Sequence, residues 1–353
     1  MPKVSIVTAS YNHKRFLPER IRSILRQTYA DFEWIIVEDS STDGSLAVLQ
    51  QLETEDSRVR LYVNGQNRGM AWTTQSAIQR SSGEYVYRAE SDDVCHPRFL
   101  ESMVRVLDDH PQVGFVYCRA LNMDANGNVW GGRNQGRHDF VSPGTDFFRS
   151  LILGNFVPGP NIVFSRIAHD RVGGFDVGRF RVACDWHFSL RMCLHSDVGY
   201  VAEPLGYHRV HSDNLSGALG RTYDLDLLFH ESYELLEDVF GSVPQEHSEL
   251  QKLRPQAMRR ITIHHAAPLF TKALIDGRGG VANRILAGVK RYDPESTRGL
   301  AWPTACVKSI IFNLAYSNLY RPLAQALSRR RRHSFGEEST LLDERSVDSR
   351  IGA

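Results

Sequence analysis

The sequence predicts an α/β protein with a mostly parallel, doubly wound sheet flanked by helices, followed by a helical region at the C-terminus. Two patterns support this fold class. Short β-rich segments alternate with amphipathic helical segments through the first third of the chain, and that alternation is typical of a parallel sheet. From about residue 223 onward the patterns are helical only, which predicts the appended region.

The alternating segments can be followed in order from the N-terminus. The first strand is expected at 4–8, and the first helix begins at Pro18 with Leu25 on its apolar face. Residues 34–37 are all apolar, as expected of a strand that is covered on both faces. The next elements are a turn at 41–45 leading into a helix, a strand at 59–63, a helix at 70–80 and a strand at 85–87.

The pattern changes after about residue 120. Residues 122–136 are rich in Gly and Asn and predict a loop or hairpin. A strand is expected at 198–202, and Pro322 should break or kink the last helix. The helices expected in this part of the chain lie at 144–153, 185–194 and about 303–320.

These patterns divide the chain into three regions. A main domain is expected at 1–220, with halves at about 1–120 and 121–220. Helices alone are expected at 221–328. The tail at 329–353 is charged and nearly free of apolar residues, which predicts disorder.

Composition places the chain among ordinary globular proteins. Of its 353 residues, 42% are apolar and 24% are charged, so a sizeable core can form. The formal net charge of +1 provides no whole-protein field for nucleic acid, and no zinc-finger or RNA-recognition pattern is present. We therefore expect no nucleic-acid partner.

The cysteines and the N-terminal residues indicate the cellular compartment of the protein. The five cysteines are scattered without a CxxC pair, which suggests buried thiols in a reducing compartment. The first residues run into a strand without a signal-peptide pattern, and no window approaches the ~20 apolar residues that cross a bilayer. We expect a cytoplasmic protein, with peripheral contact at the inner face of the membrane left open.

Polar residues follow three of the expected strands where each strand ends. They lie at 9–12, 38–41 and 90–93. Ligands of open parallel sheets bind beyond the carboxyl ends of the strands, so these side chains should converge. The first turn lacks the GxGxxG pattern, which argues against a nicotinamide dehydrogenase.

Tyr11 and Asp39 are candidate nucleotide-binding residues at adjacent strand ends. The ring of Tyr11 offers a face on which a base can stack, and Asp39 can accept a hydrogen bond from a ring or ribose donor. The alternatives are a packed turn aromatic for Tyr11 and a helix cap for Asp39. Their shared position favours binding.

Three carboxylates lie within four residues in Glu90, Asp92 and Asp93. Gathering them is costly unless a cation lies among them, and Mg²⁺ or Mn²⁺ prefers such oxygen ligands. The alternative is an acidic turn that caps a helix beginning at 96–97, with Asp93 as the N-cap.

Eight segments of residues 3–217 form one ordered set: 4–12, 27–29, 33–45, 67–69, 90–93, 172–176, 184–186 and 207–216. In this order they together resemble a family 2 glycosyltransferase. The resemblance implies the A-type glycosyltransferase fold, with a nucleotide-binding half and an acceptor-binding half in one continuous sheet.

The resemblance also implies roles on the donor side. Ala9, Tyr11 and Asp39 would hold the base and ribose. Arg68 would contact the nucleotide or its phosphates, and Asp92 the ribose or the sugar.

A divalent cation, Mn²⁺ or Mg²⁺, is implied as the cofactor. Asp93 would ligate the metal that bridges the diphosphate, and His211 would be a second metal or phosphate ligand. The alternative for His211 is a surface histidine whose hydrogen bonds are satisfied and which binds no ligand. Glu90 stands where the family usually has Asp, which puts its own direct ligand role in doubt.

On the acceptor side, Asp185 matches the family's catalytic base, although it could instead be only a helix cap. Gly174 belongs to a tight turn that would shape the acceptor half. Trp186 could lie in the core or line the acceptor site, and we favour the acceptor site.

The expected reaction is inverting transfer of a sugar from a nucleotide-diphosphate sugar, with a UDP-sugar favoured, to a hydroxyl of a glycan or lipid-linked glycan. One carboxylate is enough as base for direct displacement, and a metal can stabilise the departing diphosphate. Such chemistry would serve cell-surface polysaccharide or glycoconjugate synthesis. The alternatives are a non-catalytic nucleotide-sugar binding module and a metal-dependent nucleotidyltransferase.

The C-terminal helices fall outside the resemblance. We expect them to pack on the core or to form a homodimer. The alternative is docking at a membrane, because an amphipathic stretch at 310–314 is followed by four arginines at 329–332, and a basic cluster suits anionic lipid headgroups.

Overall fold

The computed structural model describes residues 1–132, 136–212, 214, 225–299 and 301–315. Several sequence predictions lie outside the described residues. They concern Pro322, the arginines at 329–332, the tail at 329–353, the end of the helix expected at 303–320, and Asp213, Leu215 and Ser216 of the last family segment.

The first part of the chain has the expected alternation of strands and helices. Every residue of the second strand is buried, as its apolar run predicted. The elements are β1 (Val4–Ser10), α1 (Leu17–Leu25), β2 (Phe32–Glu38), α2 (Ser45–Glu55), β3 (Val59–Val63), α3 (Met70–Gln79) and β4 (Tyr85–Arg88).

The second part of the domain interleaves shorter strands with helices. A 3₁₀ turn at Gly159–Asn161 precedes its central strand β9. The elements are β5 (Val94–Cys95), α4 (Phe99–Asp109), β6 (Val113–Asp124), β7 (Val129–Trp130), β8 (Phe140–Ser142), α5 (Gly144–Leu151), β9 (Ile162–Ser165), α6 (Arg166–Arg171), α7 (Cys184–Cys193) and β10 (Asp197–Val210).

One continuous sheet joins both parts, in the order β3-β2-β1-β4-β9-β6-β10-β5. Strands β3, β2, β1 and β4 form one parallel set, and β6 pairs in parallel with β10. Strand β9 is antiparallel to both β4 and β6. The sheet is therefore mostly parallel but reverses where its two halves meet.

Helices cover both faces of the sheet, as expected for a doubly wound fold. One apolar cluster contains Ile24 of α1, Leu49 of α2 and Met103 of α4. The cluster on the other face contains Phe148 of α5 and Trp186 of α7. Burial on both faces explains why the central strands are continuous apolar runs.

Strand β10 is much longer than the strand expected at 198–202. It pairs in parallel with β6 as far as Val210 opposite Asp124, with irregularities in register around Pro204. This length carries residues 208–210 to the same edge of the sheet as the acidic turn after β4. A short apolar run could not reveal this extension.

The C-terminal region is helical as predicted and packs on the sheet domain. Its Phe229 and Leu236 share one apolar cluster with Phe148 and Trp186. A 3₁₀ segment at Gln245–Leu253 and a π-helical turn at Thr262–Ala266 interrupt it. The helices are α8 (Leu225–Gly241), α9 (Arg254–Ile261), α10 (Ala267–Ile275), α11 (Gly279–Tyr292), α12 (Pro294–Arg298) and α13 (Ala301–Ala315).

The alternative role of Asp93 as a helix cap is excluded. Helix α4 begins at Phe99 with Arg98 as its N-cap, so Asp93 does not cap it. The two-residue strand β5 lies between the acidic turn and the helix. One local prediction was wrong: Leu25, expected on the apolar face of α1, is the last residue of that helix and is 39% exposed. Within the described ranges, no helix has the length and apolarity needed to span a membrane.

Candidate active site

The turns after β1 and β2 form one hydrogen-bonded unit. Asn12 and Ser40 both have left-handed backbone conformations, with φ of 52° and 62°. The Asn12 N–H donates to Ser41 Oγ at 2.9 Å, and the Thr42 N–H donates to Asn12 Oδ1 at 2.8 Å. Tyr11 stands between these turns with 43% of its surface exposed, so its ring is accessible to a ligand.

Asp39 is buried at the end of β2 and organises the loop before α3. Its Oδ1 accepts hydrogen bonds from Asn64 Nδ2 at 2.7 Å and from the Arg68 N–H at 2.9 Å. Its Oδ2 accepts one from the Gly69 N–H at 2.9 Å. A carboxylate has about four acceptor positions, so one remains for a ligand donor.

Arg68 lies at the rim of the same edge. Its side chain is exposed, and its guanidinium carbon lies 4.5 Å from the centroid of the Trp72 ring. Ala9 is partly buried in β1, two residues before Tyr11. The residues predicted for the donor side therefore share the carboxyl edge of β1 and β2.

A compact cluster of possible metal ligands lies at this edge. His13, Asp92 and His211 each offer one ligand atom, and these atoms lie within 4.8 Å of one another. His211 Nε2 is 2.9 Å from Asp92 Oδ2, and His13 Nε2 is 3.9 Å from the same oxygen. Asn214 Nδ2 also donates to Asp92 Oδ2, at 3.1 Å. Two imidazoles and a carboxylate are a donor set that fits a divalent cation.

Asp93, the predicted metal ligand, faces a different set of groups. Its Oδ1 accepts a hydrogen bond from the Arg209 N–H at 2.7 Å and lies 3.4 Å from His208 Nδ1. Burial raises the pKa of Asp93, and the neighbouring Asp92 adds to the increase. Burial also acts on Asp92, but the hydrogen bond from His211 and the nearby His13 together lower its pKa.

Arg209 fastens the end of β10 to the acidic turn. It is 1% exposed; its Nε donates to the Asp92 carbonyl at 2.7 Å and its Nη1 to the Asp124 carbonyl at 3.1 Å. It also forms an ion pair with Glu19 of α1. The sequence placed Arg209 within a family segment without a role, and its structural role is to hold Asp92 against β10.

Asp185 lies in the first turn of α7 and is partly buried. Its Oδ1 accepts a hydrogen bond from the Trp186 N–H at 2.7 Å. Burial raises the pKa of Asp185, whereas the guanidinium of Arg88 opposes the increase. A carboxylate with a raised pKa is a better proton acceptor near neutral pH.

Arg88 connects Asp185 to the acidic turn. It is the last residue of β4 and forms an ion pair with Glu90. A methyl group on Gly159 would lie 2.7 Å from Asp185 Oδ2 and 3.2 Å from Arg88 Nη1, so both side chains crowd beneath this glycine. The carboxylate of Glu90 is therefore paired with Arg88, and this ion pair gives its longer side chain a structural role.

Helix α8 of the C-terminal region holds the start of the helix that carries Asp185. Glu231 is 2% exposed, and its carboxylate accepts hydrogen bonds from the N–H groups of Arg181, Val182 and Ala183 at 2.9, 2.8 and 2.9 Å. The N-cap residue Ala183 provides no side-chain cap. A carboxylate at this end of a helix is favourable for α7.

A cavity of about 320 Å³ opens beside Asp185, between α7 and the C-terminal helices. Trp186 contributes to its wall, but the indole is only 3% exposed and donates its Nε1–H to the Leu151 carbonyl at 2.9 Å. Gly174 lies outside this lining, in a turn with a φ of 70°. The cavity is a candidate acceptor pocket.

Four residues in this region were missed or left without a role: His13, Arg88, Arg209 and Glu231. His13 could have been noticed, because it follows β1 at the same strand end as Tyr11. Glu231 offered no local signal, since it lies outside the segments that carry the family resemblance.

Sequence comparison identifies the family. Residues 5–173 match the profile described as glycosyl transferase family 2. This part of the chain belongs to that family. It is 38% identical over 127 residues to a putative glycosyltransferase EpsE of Bacillus subtilis, covering 36% of this chain and 46% of that protein. It is 39% identical over 106 residues to TuaG of the same organism, a putative teichuronic acid biosynthesis glycosyltransferase, covering 30% and 42%. The chain therefore spans less than half the length of either relative.

Solved glycosyltransferases have the same fold. Staphylococcus aureus TarS is similar with a TM-score of 0.52 and 17% identity, covering 80% of this chain and 55% of that one. The mannosyltransferase PcManGT of Pyrobaculum calidifontis, solved with GDP-Man and Mn²⁺, has a TM-score of 0.51 and 19% identity, covering 89% and 87%. These similarities confirm the A-type glycosyltransferase fold.

Proposed function

We propose that this family 2 glycosyltransferase transfers a sugar from a nucleotide-diphosphate sugar to a hydroxyl acceptor, with inversion, and that Asp185 is the general base. One observation carries the proposal. The Asp185 carboxylate and Arg88 crowd together beneath Gly159, and Arg88 pairs with Glu90 in the turn that also contributes Asp92 to the cluster with His13 and His211. A base and a cation-binding cluster thus share one edge of the sheet.

The donor assignment rests on the accessible ring of Tyr11 and the remaining acceptor position of Asp39. It is consistent with the complexes solved for structural neighbours, TarS with UDP-GlcNAc and PcManGT with GDP-Man. We favour a UDP-sugar because Asp39 can accept from a pyrimidine N–H while Tyr11 stacks on the ring. The names of the relatives support a place in surface polysaccharide synthesis.

The metal ligands proposed here are Asp92 and His211, with His13 as a third, in place of Asp93. Asp92 shares its Oδ2 with both imidazoles, whereas Asp93 already accepts from the backbone of Arg209. Imidazole nitrogen suits transition ions better than Mg²⁺. Among such ions we favour Mn²⁺, because the structural neighbour PcManGT was solved with Mn²⁺. A bound cation would neutralise charge on the leaving diphosphate.

The reaction is a direct displacement. Asp185 accepts the proton of the acceptor hydroxyl while that oxygen forms a bond to the anomeric carbon, and the bond from this carbon to the diphosphate oxygen breaks with its electron pair leaving on oxygen. Arg88 keeps the carboxylate oriented and offsets its burial. Glu231 keeps the first turn of α7 in place.

The decisive experiment is a thermal-shift panel of nucleotides and nucleotide-sugars with Mn²⁺, followed by detection of released nucleotide with an acceptor mixture. A ligand at 100 times its dissociation constant should stabilise the protein by about 2.7 kcal/mol. Binding without turnover on any acceptor or water would support the binding-module alternative. Release of pyrophosphate from a nucleoside triphosphate and a sugar phosphate would support a nucleotidyltransferase.

A further inference from the structure

The cavity beside Asp185 is walled on one side by the C-terminal region, which lies outside the part of the chain that matches the family. Arg260 at the end of α9 and His264 and His265 in the π-helical turn contribute to this wall. Single π-turns of this kind are rare and occur frequently at functional sites. The volume of about 320 Å³ is within the range of small-ligand pockets.

Charged groups of both signs line the cavity. Asp185 is the acidic residue of the lining, and the C-terminal wall has the guanidinium of Arg260 and the imidazoles of His264 and His265. Burial lowers the pKa of both imidazoles, so Arg260 is the cation of this wall near neutral pH. Arg260 is exposed, and within the described part of the chain no ion pair neutralises it. His265 Nδ1 is buried and has no hydrogen-bond partner among the described residues.

Buried hydrogen bonds hold the π-helical turn that carries His264 and His265. Thr262 donates from its hydroxyl to Asp293 Oδ2 at 2.6 Å and lies 2.6 Å from the Tyr233 hydroxyl. All three residues are buried. Because this anchor fixes the start of the turn, Arg260 and the two histidines have defined positions relative to Asp185.

We propose that this cavity binds the acceptor and that Arg260, His264 and His265 bind an oxyanion, a phosphate or a carboxylate, carried by that acceptor. The inference rests on the proposed function of Asp185. A guanidinium can form paired hydrogen bonds with either oxyanion, and the imidazoles supply further donors. The anionic group against this wall would direct a neighbouring hydroxyl of the acceptor toward Asp185.

The test measures binding of simple sugars to the full chain saturated with Mn²⁺ and UDP, so that the donor side is already filled. Glucose 6-phosphate, glucuronate and glucose are titrated separately by calorimetry. We expect binding of the phosphate, the carboxylate or both, and none of glucose; the two charged arms show which oxyanion the wall prefers. Loss of one charge-assisted contact in Arg260→Ala should weaken binding about tenfold or more.

The matched control is Arg259→Ala. Arg259 is the exposed neighbour of Arg260 on α9 and does not line the cavity, so this variant should bind as the parent does. His264→Ala, also at an exposed position, should weaken binding in the same direction as Arg260→Ala.

Three results would overturn the inference: no binding of either charged sugar, equal binding of glucose, or equal affinity in the two arginine variants. These are distinguishable from failure of the proposed function. If neither UDP nor GDP with Mn²⁺ raises the melting temperature of the parent, the donor assignment is wrong. If nucleotide binding is intact and charge preference is absent, only the acceptor inference is wrong.

Discussion

Replacing Glu231 by Gln tests whether the C-terminal helices position the catalytic base. Glu231 is 2% exposed and accepts three backbone hydrogen bonds at 2.8–2.9 Å from the residues that precede and begin α7. Hydrogen bonds to a charged group contribute about 1.5–3 kcal/mol each. The Gln side chain has one acceptor oxygen and directs its NH₂ at an N–H donor. The free energy of unfolding should therefore fall by about 3 kcal/mol, or roughly 5 °C in melting temperature.

The effect on activity should exceed the effect of lost stability. If the start of α7 shifts, Asp185 moves relative to the acceptor hydroxyl, and displacement by about 1 Å can cost ~10²-fold in rate. Glu231→Gln should lower kcat about 10- to 100-fold when assayed well below its melting temperature. The donor KM should stay near the parent value, because the proposed nucleotide site lies at the ends of β1 and β2, away from α7.

The control is Glu234→Gln, an exposed position on the same helix α8. It removes the same charge without removing a buried cap, and we expect parental stability and kcat. A Glu231→Gln variant with a lower melting temperature but the parental kcat would show that Glu231 has only a structural role. Unchanged melting and unchanged kcat would refute the hydrogen-bonding analysis altogether.

Four further predictions concern the site itself. Asp185→Asn should keep nucleotide binding and lower transfer by about 10²–10⁴-fold; burial raises the pKa of Asp185 in the fold, so its ionised form is destabilising above that pKa, and the neutral variant should melt slightly higher. Because only the ionised carboxylate can accept a proton, kcat of the parent should fall as the pH is lowered through the raised pKa of Asp185. A pH-independent kcat would contradict the base role. Asp92→Asn should increase the Mn²⁺ concentration needed for half-maximal activity far more than Asp93→Asn, and the reverse order would return the ligand role to Asp93. Gly159→Ala should lower kcat about tenfold at unchanged nucleotide affinity, because its methyl would lie 2.7 Å from Asp185 Oδ2.

The sequence by itself determined the alternation of strands and helices and the edge at which polar residues gather. Apolar periodicity specifies local structure, and the carboxyl ends of parallel strands must share one edge. Tyr11, Asp39 and the acidic turn after β4 could therefore be placed together without coordinates. The family resemblance added Asp185, which lies in a later part of the chain.

Strand order was decided only in the tertiary structure. The four residues of β9 are a short, largely apolar run that does not reveal its direction, yet β9 is antiparallel to β4 and β6 and joins the two halves of the sheet. The extension of β10 to Val210 likewise depends on its partner β6. Apolar periodicity and composition are local properties of the sequence. Strand pairing, in contrast, depends on contacts between segments that are distant in the sequence.

The same limit explains which site residues could not be found from the sequence. His211 was predicted as a ligand, but its contact with Asp92 across 119 residues was not, and Glu231 caps a helix that begins about 50 residues earlier. Arg260 and His264 reach the cavity beside Asp185 only because the C-terminal helices pack against α7. The sequence gives the type of each side chain, but packing decides its partner. Packing gives the neighbours Asp92 and Asp93 different partners, and it brings the C-terminal region to Asp185.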